Sequence, residues 1–492
     1  PDANTLIILG ATGDLTKRKL LPSLFSLFQQ NLLPSTFKIV AFARRPKTTP
    51  EFRDDMLRAL QEFAGVDGNE LDVAKRFLHH VIYHEGDFAQ VEAHERLASV
   101  LFEIETKEHI AANRLFYLAT PPSTYGQIID NIGRAGLSRS LTGWTRIIIE
   151  KPFGRDLPSA QLLGEAVSRV FNEDQVYRID HYLGKETVQN LLVFRFANGI
   201  FEPIWNRRYV DHVQITVAES IGMEGRGKFF QETGILRDIV QNHLLQLLCL
   251  VGMEPPSAFA ADAVRDEKVK VLKAVEPFSK QQLDQYIVRG QYSAGSLWGR
   301  SYPGFLQEQD IPANSTTETF VAMQLAVNNW RWAGVPFYLR AGKRLPKRVT
   351  EIAIYFKYPP LQIFGSHKED VTSNMLALNI QPDEGIILKF DSKVPGPSGT
   401  IRPVTMDFRY GTSFGEKAPD AYERLLLDAM LGDSTLFTRA DEAEMAWQLL
   451  TPVLQHWEQQ QHIKLPQYEI GTWGPKESDD LLERNGHSWR RL

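Results

Sequence analysis

Residues 5–15 read TLIILGATGDL, and this stretch decides the fold of the first part of the chain. The short, continuous apolar run TLIILG is typical of a strand that is buried on both faces of a parallel sheet. Glycines between such a strand and a helix let a dinucleotide pyrophosphate approach backbone N–H groups, because no Cβ blocks it. Only Gly10 and Gly13 remain of the usual G-x-G-x-x-G spacing, so a plain tight turn is the alternative interpretation.

Further apolar runs, separated by helical stretches, follow this strand. A helix-like segment covers residues 15–30, and Pro22 within it should bend or shorten the helix. We predict further strands at residues 37–43 (FKIVAFA), 81–87, 115–120 (LFYLAT) and 146–150 (RIIIE). Strands that alternate with helices form βαβ units, so the pattern predicts a Rossmann-like parallel sheet.

From about Val213 onward, longer runs alternate apolar and polar residues. We predict strands in HVQITVAE, TFVAMQLAV, VPFYLRA and TEIAIYFK, and a hairpin of MLALNIQP and GIILKF. Helices are expected at residues 237–253, 422–431 and 441–459. The fold class is therefore α/β plus α+β, with a Rossmann-like domain over residues 1–179 and a larger domain over residues 180–492. The larger domain should be built on a mainly antiparallel sheet.

Composition and charge exclude several classes of protein. The 492 residues carry a formal net charge of −5, so no basic excess indicates nucleic acid or a membrane surface as a partner. Cys249 is the single cysteine. It can form neither an internal disulfide nor a Cys-based zinc site, and its apolar neighbours favour a buried, inert thiol. No apolar stretch reaches the roughly 18–20 residues that span a bilayer, and PDANTLIILG lacks the features of a signal peptide. We expect a cytoplasmic protein without a metal.

Candidate ligand-binding residues stand at the ends of three of the predicted strands, where a Rossmann-like sheet binds its ligand. An NAD-specific site usually has Asp or Glu about 20 residues past the glycine turn, whereas this chain has Arg44 and Arg45, which suit the 2′-phosphate of NADP. A solvated basic loop is the alternative. Ala119 precedes a Thr-Pro-Pro sequence at another strand end, and Glu150 and Lys151 end the strand RIIIE before a proline.

The run RIDHYLGKE, residues 178–186, carries imidazole, phenol and ammonium groups close together. If the segment is helical from His181, then His181 and Lys185 share a face, with Tyr182 beside them. Such a group would bind an oxyanion or a phosphate. A surface helix start with a salt bridge is the alternative.

A second run, RDIVQNH, ends at His243 and precedes the apolar LLQLLCL. A lone histidine on a buried helix is more often a core residue than a base. A catalytic histidine needs a carboxylate to orient it and to stabilise its protonated form, and Asp180 and Asp238 are the candidates.

These motifs occur together in glucose-6-phosphate dehydrogenases, which the chain resembles over nearly its whole length. The resemblance rests on GATGDLTKRKLLP, EKPFGRDL, VYRIDHYLGKE, RDIVQNHLLQLLC, VRDEKVKVLK, NWRWAGVPFYLRAGKRLP and DAYERLLLD. It implies an NADP-dependent oxidoreductase that converts D-glucose 6-phosphate to 6-phospho-D-glucono-1,5-lactone in the first oxidative step of the pentose phosphate pathway. It also implies a homodimer or homotetramer built on the large sheet.

The resemblance also implies roles for individual residues. His243 is expected to be the general base that removes the C1 hydroxyl proton, with Asp180 as its orienting carboxylate. The 6-phosphate receptor is expected to consist of His181, Tyr182 and Lys185. Further substrate contacts are expected at Lys151, Glu219, Asp238, Lys343 and Gln381. The NADP site is expected at Gly10, Gly13, Asp14, Leu15, Arg44, Ala119, Tyr125, Glu150 and Lys151.

The chain departs from the family pattern at a second, structural NADP site that mammalian members bind with basic and aromatic side chains. Three positions that align with that site hold Ala353, Asn379 and Ile387, while Lys389 and Asp407 match it. We therefore expect one NADP per subunit.

Two other functions would share part of this sequence pattern. A sugar oxidoreductase of the glucose–fructose type would share the sheets but lack RIDHYLGKE. A redox sensor that holds NADP without turnover would lack the base or the receptor residues.

Overall fold

The structure, a computed structural model, describes residues 1–361, 363, 371–396, 400–415, 419–460 and 463–492. Its strands are β1 (Asn4–Leu9), β2 (Phe37–Ala43), β3 (Val81–Glu85), β4 (Arg114–Leu118), β5 (Thr145–Ile149), β6 (Val176–Arg178), β7 (Val210–Ala218), β8 (Ile287–Ser293), β9 (Gly295–Leu297), β10 (Arg300–Tyr302), β11 (Phe320–Ala326), β12 (Pro336–Gly342), β13 (Val349–Phe356), β14 (Met375–Gln381), β15 (Gly385–Lys393), β16 (Ile401–Arg409) and β17 (Gln467–Glu469).

The α-helices of the described residues are α1 (Leu21–Gln29), α2 (Thr49–Ala64), α3 (Leu71–Leu78), α4 (Val91–Glu108), α5 (Tyr125–Arg134), α6 (Leu157–Ser168), α7 (Glu186–Phe196), α8 (Gly227–Ile235), α9 (Leu245–Gly252), α10 (Ala261–Ala274), α11 (Lys280–Tyr286), α12 (Tyr410–Phe414), α13 (Ala421–Leu431), α14 (Ala440–Glu458) and α15 (Glu477–Glu483). Two π-helical segments, Thr16–Leu20 and Leu236–Leu244, lead directly into α1 and α9.

The described chain divides into two compact units. The first unit comprises Pro1–Lys185, Ala258–Arg265 and Pro419–Glu444, and the second comprises Glu186–Ser257, Asp266–Ala418 and Met445–Leu492. The first unit thus includes two late segments of the chain in addition to its N-terminal part. The division of residues 1–179 from residues 180–492 stays a prediction.

The sheet of the first unit is parallel, and its strand order is β3-β2-β1-β4-β5-β6. This confirms the Rossmann-like prediction, and β2 has the predicted bounds. The helices cover an apolar core around β1 and β4, in which Ile7, Leu9, Phe116 and Leu118 are fully buried. The sequence did not indicate β6, because three residues are too few for a periodic pattern.

The segment predicted as a helix at residues 15–30 is helical, but the helix type changes along its length. Its first turns are π-helical, and the N–H group of Leu21 donates to the carbonyl of Thr16. Pro22 lies in the first turn of α1, so the change of helix type comes just before the proline.

The large sheet of the second unit has the order β16-β15-β14-β13-β7-β12-β11-β8-β17. Within the described residues its pairs are antiparallel except β7 with β12 and β8 with β17, so the mainly antiparallel prediction is confirmed. The predicted hairpin is formed by β14 and β15, with Asn379 opposite Gly385. The sequence did not indicate β8, β16 or β17. β16 is mostly exposed and contains Pro403, so its sequence lacks the alternation of apolar and polar residues that marks a half-buried strand.

The predicted long helix at residues 237–253 is formed by the π-helical segment Leu236–Leu244 and by α9. Cys249 lies within α9 and is fully buried, as predicted. A search of the described helices finds none with the length and hydropathy that a membrane crossing requires.

Candidate active site

The turn after β1 contains two glycines, and a larger residue could not replace the first of them, Gly10. Gly10 has a φ of +88°, and its N–H group donates to the carbonyl of Phe42 at 2.9 Å. A Cβ on Gly10 would overlap the carbonyl of Ala119 at the end of β4. The N–H group of Gly13 donates to the Gly10 carbonyl at 2.9 Å. The fold therefore brings Gly10, Gly13 and Ala119 together at the carboxyl edge of the sheet, where dinucleotides bind.

The other predicted cofactor residues surround this edge in the first unit. Asp14 is exposed and pairs with Arg18, with 2.7 Å between Oδ1 and Nε, and Leu15 beside it is half-buried. Tyr125 is buried at the start of α5, and burial raises the pKa of its phenol. Arg44 follows β2 and is exposed, with its guanidinium carbon 5.0 Å from the ring centroid of Phe88.

Glu150, directly after β5, lies in a buried group that the sequence did not predict. Its carboxylate accepts hydrogen bonds from the hydroxyls of Tyr117 in β4 and Tyr422 in α13. Burial is the largest influence on this carboxyl and raises its pKa, although both phenols oppose the shift. Lys151 follows, and its peptide bond to Pro152 is cis.

Tyr422 connects this group to the predicted phosphate receptor. Its ring lies nearly parallel to the imidazole of His181, with 6.5 Å between the ring centroids. The side chain of Asp420 caps α13 at the Tyr422 N–H group, at 3.0 Å, so the start of the helix holds Tyr422 in place. The motif DAYERLLLD contains Tyr422, but nothing in that motif indicates that the tyrosine contacts Glu150.

The receptor residues occupy turns, and this corrects the helical geometry considered for them. The N–H groups of Leu183 and Lys185 donate to the carbonyls of Asp180 and Tyr182, and α7 begins only at Glu186. A carboxylate oxygen of Asp180 accepts from the Tyr182 N–H group at 3.0 Å. A Cβ on Gly184 would overlap the carbonyl of Ala421, so these turns pack closely against the start of α13.

These turns still bring the predicted groups together within the first unit. The phenol ring of Tyr182 is close to both of the others, 5.1 Å from the imidazole centroid of His181 and 5.3 Å from the Lys185 ammonium nitrogen. His181 and Lys185 are half-buried, and Tyr182 and Asp180 are buried. Two groups that can be cationic therefore lie near one phenol, and charged donors of this kind suit a phosphate.

In the second unit, Glu219 and Lys343 form an ion pair. Glu219 follows β7 and Lys343 follows β12, and these strands are parallel neighbours whose ends pair at Ala218 and Gly342. The Lys343 side chain is only 5% exposed. Sequence patterns did not indicate that these two strands are parallel neighbours, so they did not predict the ion pair.

Gln381 lies at the same end of the large sheet. It ends β14, and its side-chain nitrogen donates to the Thr350 hydroxyl at 2.9 Å. Thr350 in turn pairs with Val217 near the end of β7. The sheet therefore brings Gln381 to the edge that carries Glu219.

Asp238 and His243 share a face because the helix that carries them is π-helical. Residues five apart lie about 140° apart around an α-helix, since each residue turns it by about 100°. In π-helical turns the backbone hydrogen bond joins residues i and i+5, so such a pair lies nearly one above the other. The segment packs against β7 and β12, and His243 is 1% exposed.

A group of possible metal ligands lies elsewhere in the second unit. His212 Nδ1 and His487 Nε2 contact the same carboxylate oxygen of Asp211, at 2.8 and 3.0 Å. The amide nitrogen of Gln214 lies 3.1 Å from His212 Nε2 and also donates to the Ser488 carbonyl. His212 Nε2 must then accept, which places its proton on Nδ1 and fits an uncharged imidazole better than a metal ligand.

Known proteins of one family match this chain over nearly its whole length. The family model "Glucose-6-phosphate dehydrogenase, NAD binding domain" matches residues 7–190, and "Glucose-6-phosphate dehydrogenase, C-terminal domain" matches residues 192–490. Glucose-6-phosphate 1-dehydrogenase of Chlamydia pneumoniae is 48% identical over 496 residues, which cover 99% of this chain and 96% of that protein. The Bacillus subtilis (strain 168) enzyme is 41% identical over 484 residues, covering 98% and 97%.

Solved structures of glucose-6-phosphate dehydrogenases are also similar to this chain. A glucose-6-phosphate dehydrogenase in complex with its substrate glucose-6-phosphate has a TM-score of 0.91 and 36% identity, covering 100% of this chain and 99% of that chain. The glucose-6-phosphate 1-dehydrogenase from Mycobacterium avium has a TM-score of 0.85 and 33% identity at the same coverage. The first unit therefore contains the family's domain for a nicotinamide dinucleotide, and the chain belongs to the glucose-6-phosphate dehydrogenase family.

Proposed function

We propose that the chain oxidises glucose 6-phosphate at C1 and passes the hydride to NADP, giving 6-phospho-D-glucono-1,5-lactone. The observation that carries this proposal is the similarity over the whole chain to an enzyme that binds glucose 6-phosphate. An assay that follows the absorbance of the reduced nicotinamide, with each sugar and each cofactor in turn, tests it. Equal activity on free glucose would favour the glucose–fructose oxidoreductase type, and no turnover would favour a redox sensor.

The chemistry requires a base at the C1 hydroxyl. We assign this role to His243, because a neutral imidazole accepts a proton near neutral pH. Asp180 is assigned as the carboxylate that orients the imidazole and stabilises its protonated form. NADP, when bound, supplies the acceptor for the hydride that leaves C1.

Binding of the sugar phosphate is divided between two groups of residues. We assign the 6-phosphate to His181, Tyr182 and Lys185, whose turns hold a phenol close to two groups that can be cationic. The sugar hydroxyls need paired donors and acceptors, which carboxylates, ammonium groups and an amide provide. We assign these contacts to Lys151, Glu219, Asp238, Lys343 and Gln381.

The cofactor contacts follow the carboxyl edge of the parallel sheet. The pyrophosphate is assigned to the turn with Gly10 and Gly13, where the missing Cβ atoms let it approach the backbone. Cofactor contacts are further assigned to Asp14, Leu15, Arg44, Ala119, Tyr125, Glu150 and Lys151. The preference for NADP over NAD is assigned to Arg44, because a guanidinium can form a bidentate, charge-assisted pair with the 2′-phosphate.

Replacing Arg44 with Ala should raise the KM for NADP by roughly tenfold to a hundredfold, since one charged hydrogen bond contributes about 1.5–3 kcal/mol. The exposed position of Arg44 places the effect at the lower end, because salt screens an exposed pair. The KM for NAD should hardly change. Arg45→Ala is the matched control and should have a smaller effect. Equal weakening of both cofactors by Arg44→Ala would show that Arg44 holds a feature that they share.

We also propose that each subunit binds one NADP. Ala353, Ala377 and Ile387 lie side by side across β13, β14 and β15, and Ala353 and Ala377 are buried in a small apolar cluster. Ala353, Asn379 and Ile387, the residues at the three aligned positions, offer neither charge nor a surface for stacking. Calorimetric titration of the cofactor-free protein should give a stoichiometry of one per subunit, and a value of two would contradict the proposal.

A cytoplasmic location and a homodimer or homotetramer complete this proposal. Sedimentation of the purified enzyme would determine the assembly.

A further inference from the structure

Glu318, near the start of β11, contacts the start of the helix that carries His243. One oxygen of its carboxylate accepts a hydrogen bond from the N–H group of Leu236 at 2.9 Å. Its backbone carbonyl accepts from the N–H group of Ile235 at 3.1 Å. A single residue therefore binds two neighbouring N–H groups where the π-helical segment Leu236–Leu244 begins.

The chain leaves space for this contact at Gly234. This residue is the last but one of α8 and interrupts the helix with a φ of +62° and a ψ of 176°, outside the helical region. A Cβ at Gly234 would overlap the carboxylate of Glu318. The glycine thus permits both the break between the two helices and the approach of the carboxylate.

Water cannot easily replace the carboxylate, because the site is buried. Glu318 is 4% exposed and Leu236 is fully buried. The first N–H groups of a helix have no intrahelical acceptor, and a buried, unpaired N–H group is costly. A carboxylate at this position also faces the positive end of the helix dipole. Burial raises the pKa of the Glu318 carboxyl, whereas the hydrogen bond from Leu236 and the charges of Arg237 and Arg289 oppose the shift.

The two ends of the helix also determine its register. α9, which continues the π-helical segment, is buried along its whole length and is held by the core. Glu318 holds the other end. A π-helical turn accommodates an extra residue relative to an α-helix, so it persists where both ends are held in place. If the first end is released, the segment can relax to α-helical turns, and His243 would then turn away from the face of Asp238.

We propose that Glu318 is a positioning residue, which fixes the start and the register of the helix that presents Asp238 and His243. This inference rests on the assignment of His243 as the general base. Glu318 itself is assigned no contact with the substrate or the cofactor, and it acts only through the helix.

Two substitutions distinguish the effect of the length of the Glu318 side chain from the effect of its charge. Glu318→Gln keeps an oxygen at the same distance and removes the charge, and kcat should stay within about threefold of wild type. Glu318→Asp keeps the charge but is one methylene too short to reach Leu236, and kcat should fall roughly tenfold, as for one lost buried hydrogen bond. The KM for glucose 6-phosphate should change by less than about twofold in both variants, because the assigned phosphate receptor is untouched.

The matched control is Thr317→Ala. The Thr317 hydroxyl donates to the carbonyl of Gln231 in α8 at 3.0 Å. This hydrogen bond connects the residues before β11 to α8, but it does not involve the start of the π-helical segment Leu236–Leu244. This variant should keep wild-type kcat. The pH profile gives a second readout, since a displaced His243 should shift the acidic limb of kcat in Glu318→Asp and not in Thr317→Ala.

The proposal is overturned if Glu318→Asp has the kcat and pH profile of wild type, or if Glu318→Gln is as impaired as Glu318→Asp. A double variant separates it from the assignment of the base. In a His243→Asn background, Glu318→Asp should lower kcat no further, because both changes act through one imidazole. A further tenfold loss there would place the effect of Glu318 elsewhere than on His243.

Discussion

A folded His243→Asn enzyme should lose at least about a hundredfold in kcat, the usual scale for the loss of a general base. Asparagine has a similar size and can still form hydrogen bonds, but its amide does not accept a proton near neutral pH. The KM for glucose 6-phosphate should change much less, because the phosphate contacts are assigned to the other unit of the chain. Steady-state kinetics with saturating NADP measure both constants.

The chain provides a matched control for this exchange. His212 is also a buried histidine of the second unit, but it lies in β7 and contacts Asp211. His212→Asn should keep near-normal kcat if it folds, so a loss that is specific to position 243 identifies the base. Near-normal kcat in a folded His243→Asn protein would contradict the assignment.

Lys185→Ala should weaken the binding of glucose 6-phosphate by about 1.5–3 kcal/mol, the range for a hydrogen bond to a charged group. This corresponds to an increase in KM of roughly tenfold to a hundredfold. We expect the upper part of this range, because Lys185 is half-buried and salt screens it less than the exposed Arg44.

The slow oxidation of free glucose should hardly change in this variant, because free glucose has no phosphate for the ammonium group to bind. Lys75→Ala, an exposed lysine on α3 of the same unit, is the control for loss of a positive charge and should leave both substrates unaffected. If Lys185→Ala weakens both sugars equally, then Lys185 has a catalytic or structural role.

The local sequence determined the parallel sheet and its ligand-binding edge. The runs TLIILG, FKIVAFA, LFYLAT and RIIIE are short and apolar, and β1, β2, β4 and β5 form there, because a strand buried on both faces needs apolar side chains throughout. The glycine turn was also readable, since Gly10 must adopt a positive φ next to Ala119. Family motifs in the sequence named the candidate site residues.

Only the tertiary structure decided which of these residues meet. Glu219 pairs with Lys343 because β7 and β12 are parallel neighbours, and Tyr422 bonds Glu150 because a late segment belongs to the first unit. Pairing between residues far apart in sequence leaves no periodic signal in either segment. The same holds for the helix of His243, whose π-helical register depends on Glu318 at one end and on the core around α9 at the other. Sequence periodicity reports which face of an element is apolar, whereas register and partners depend on contacts that form only when the whole unit packs.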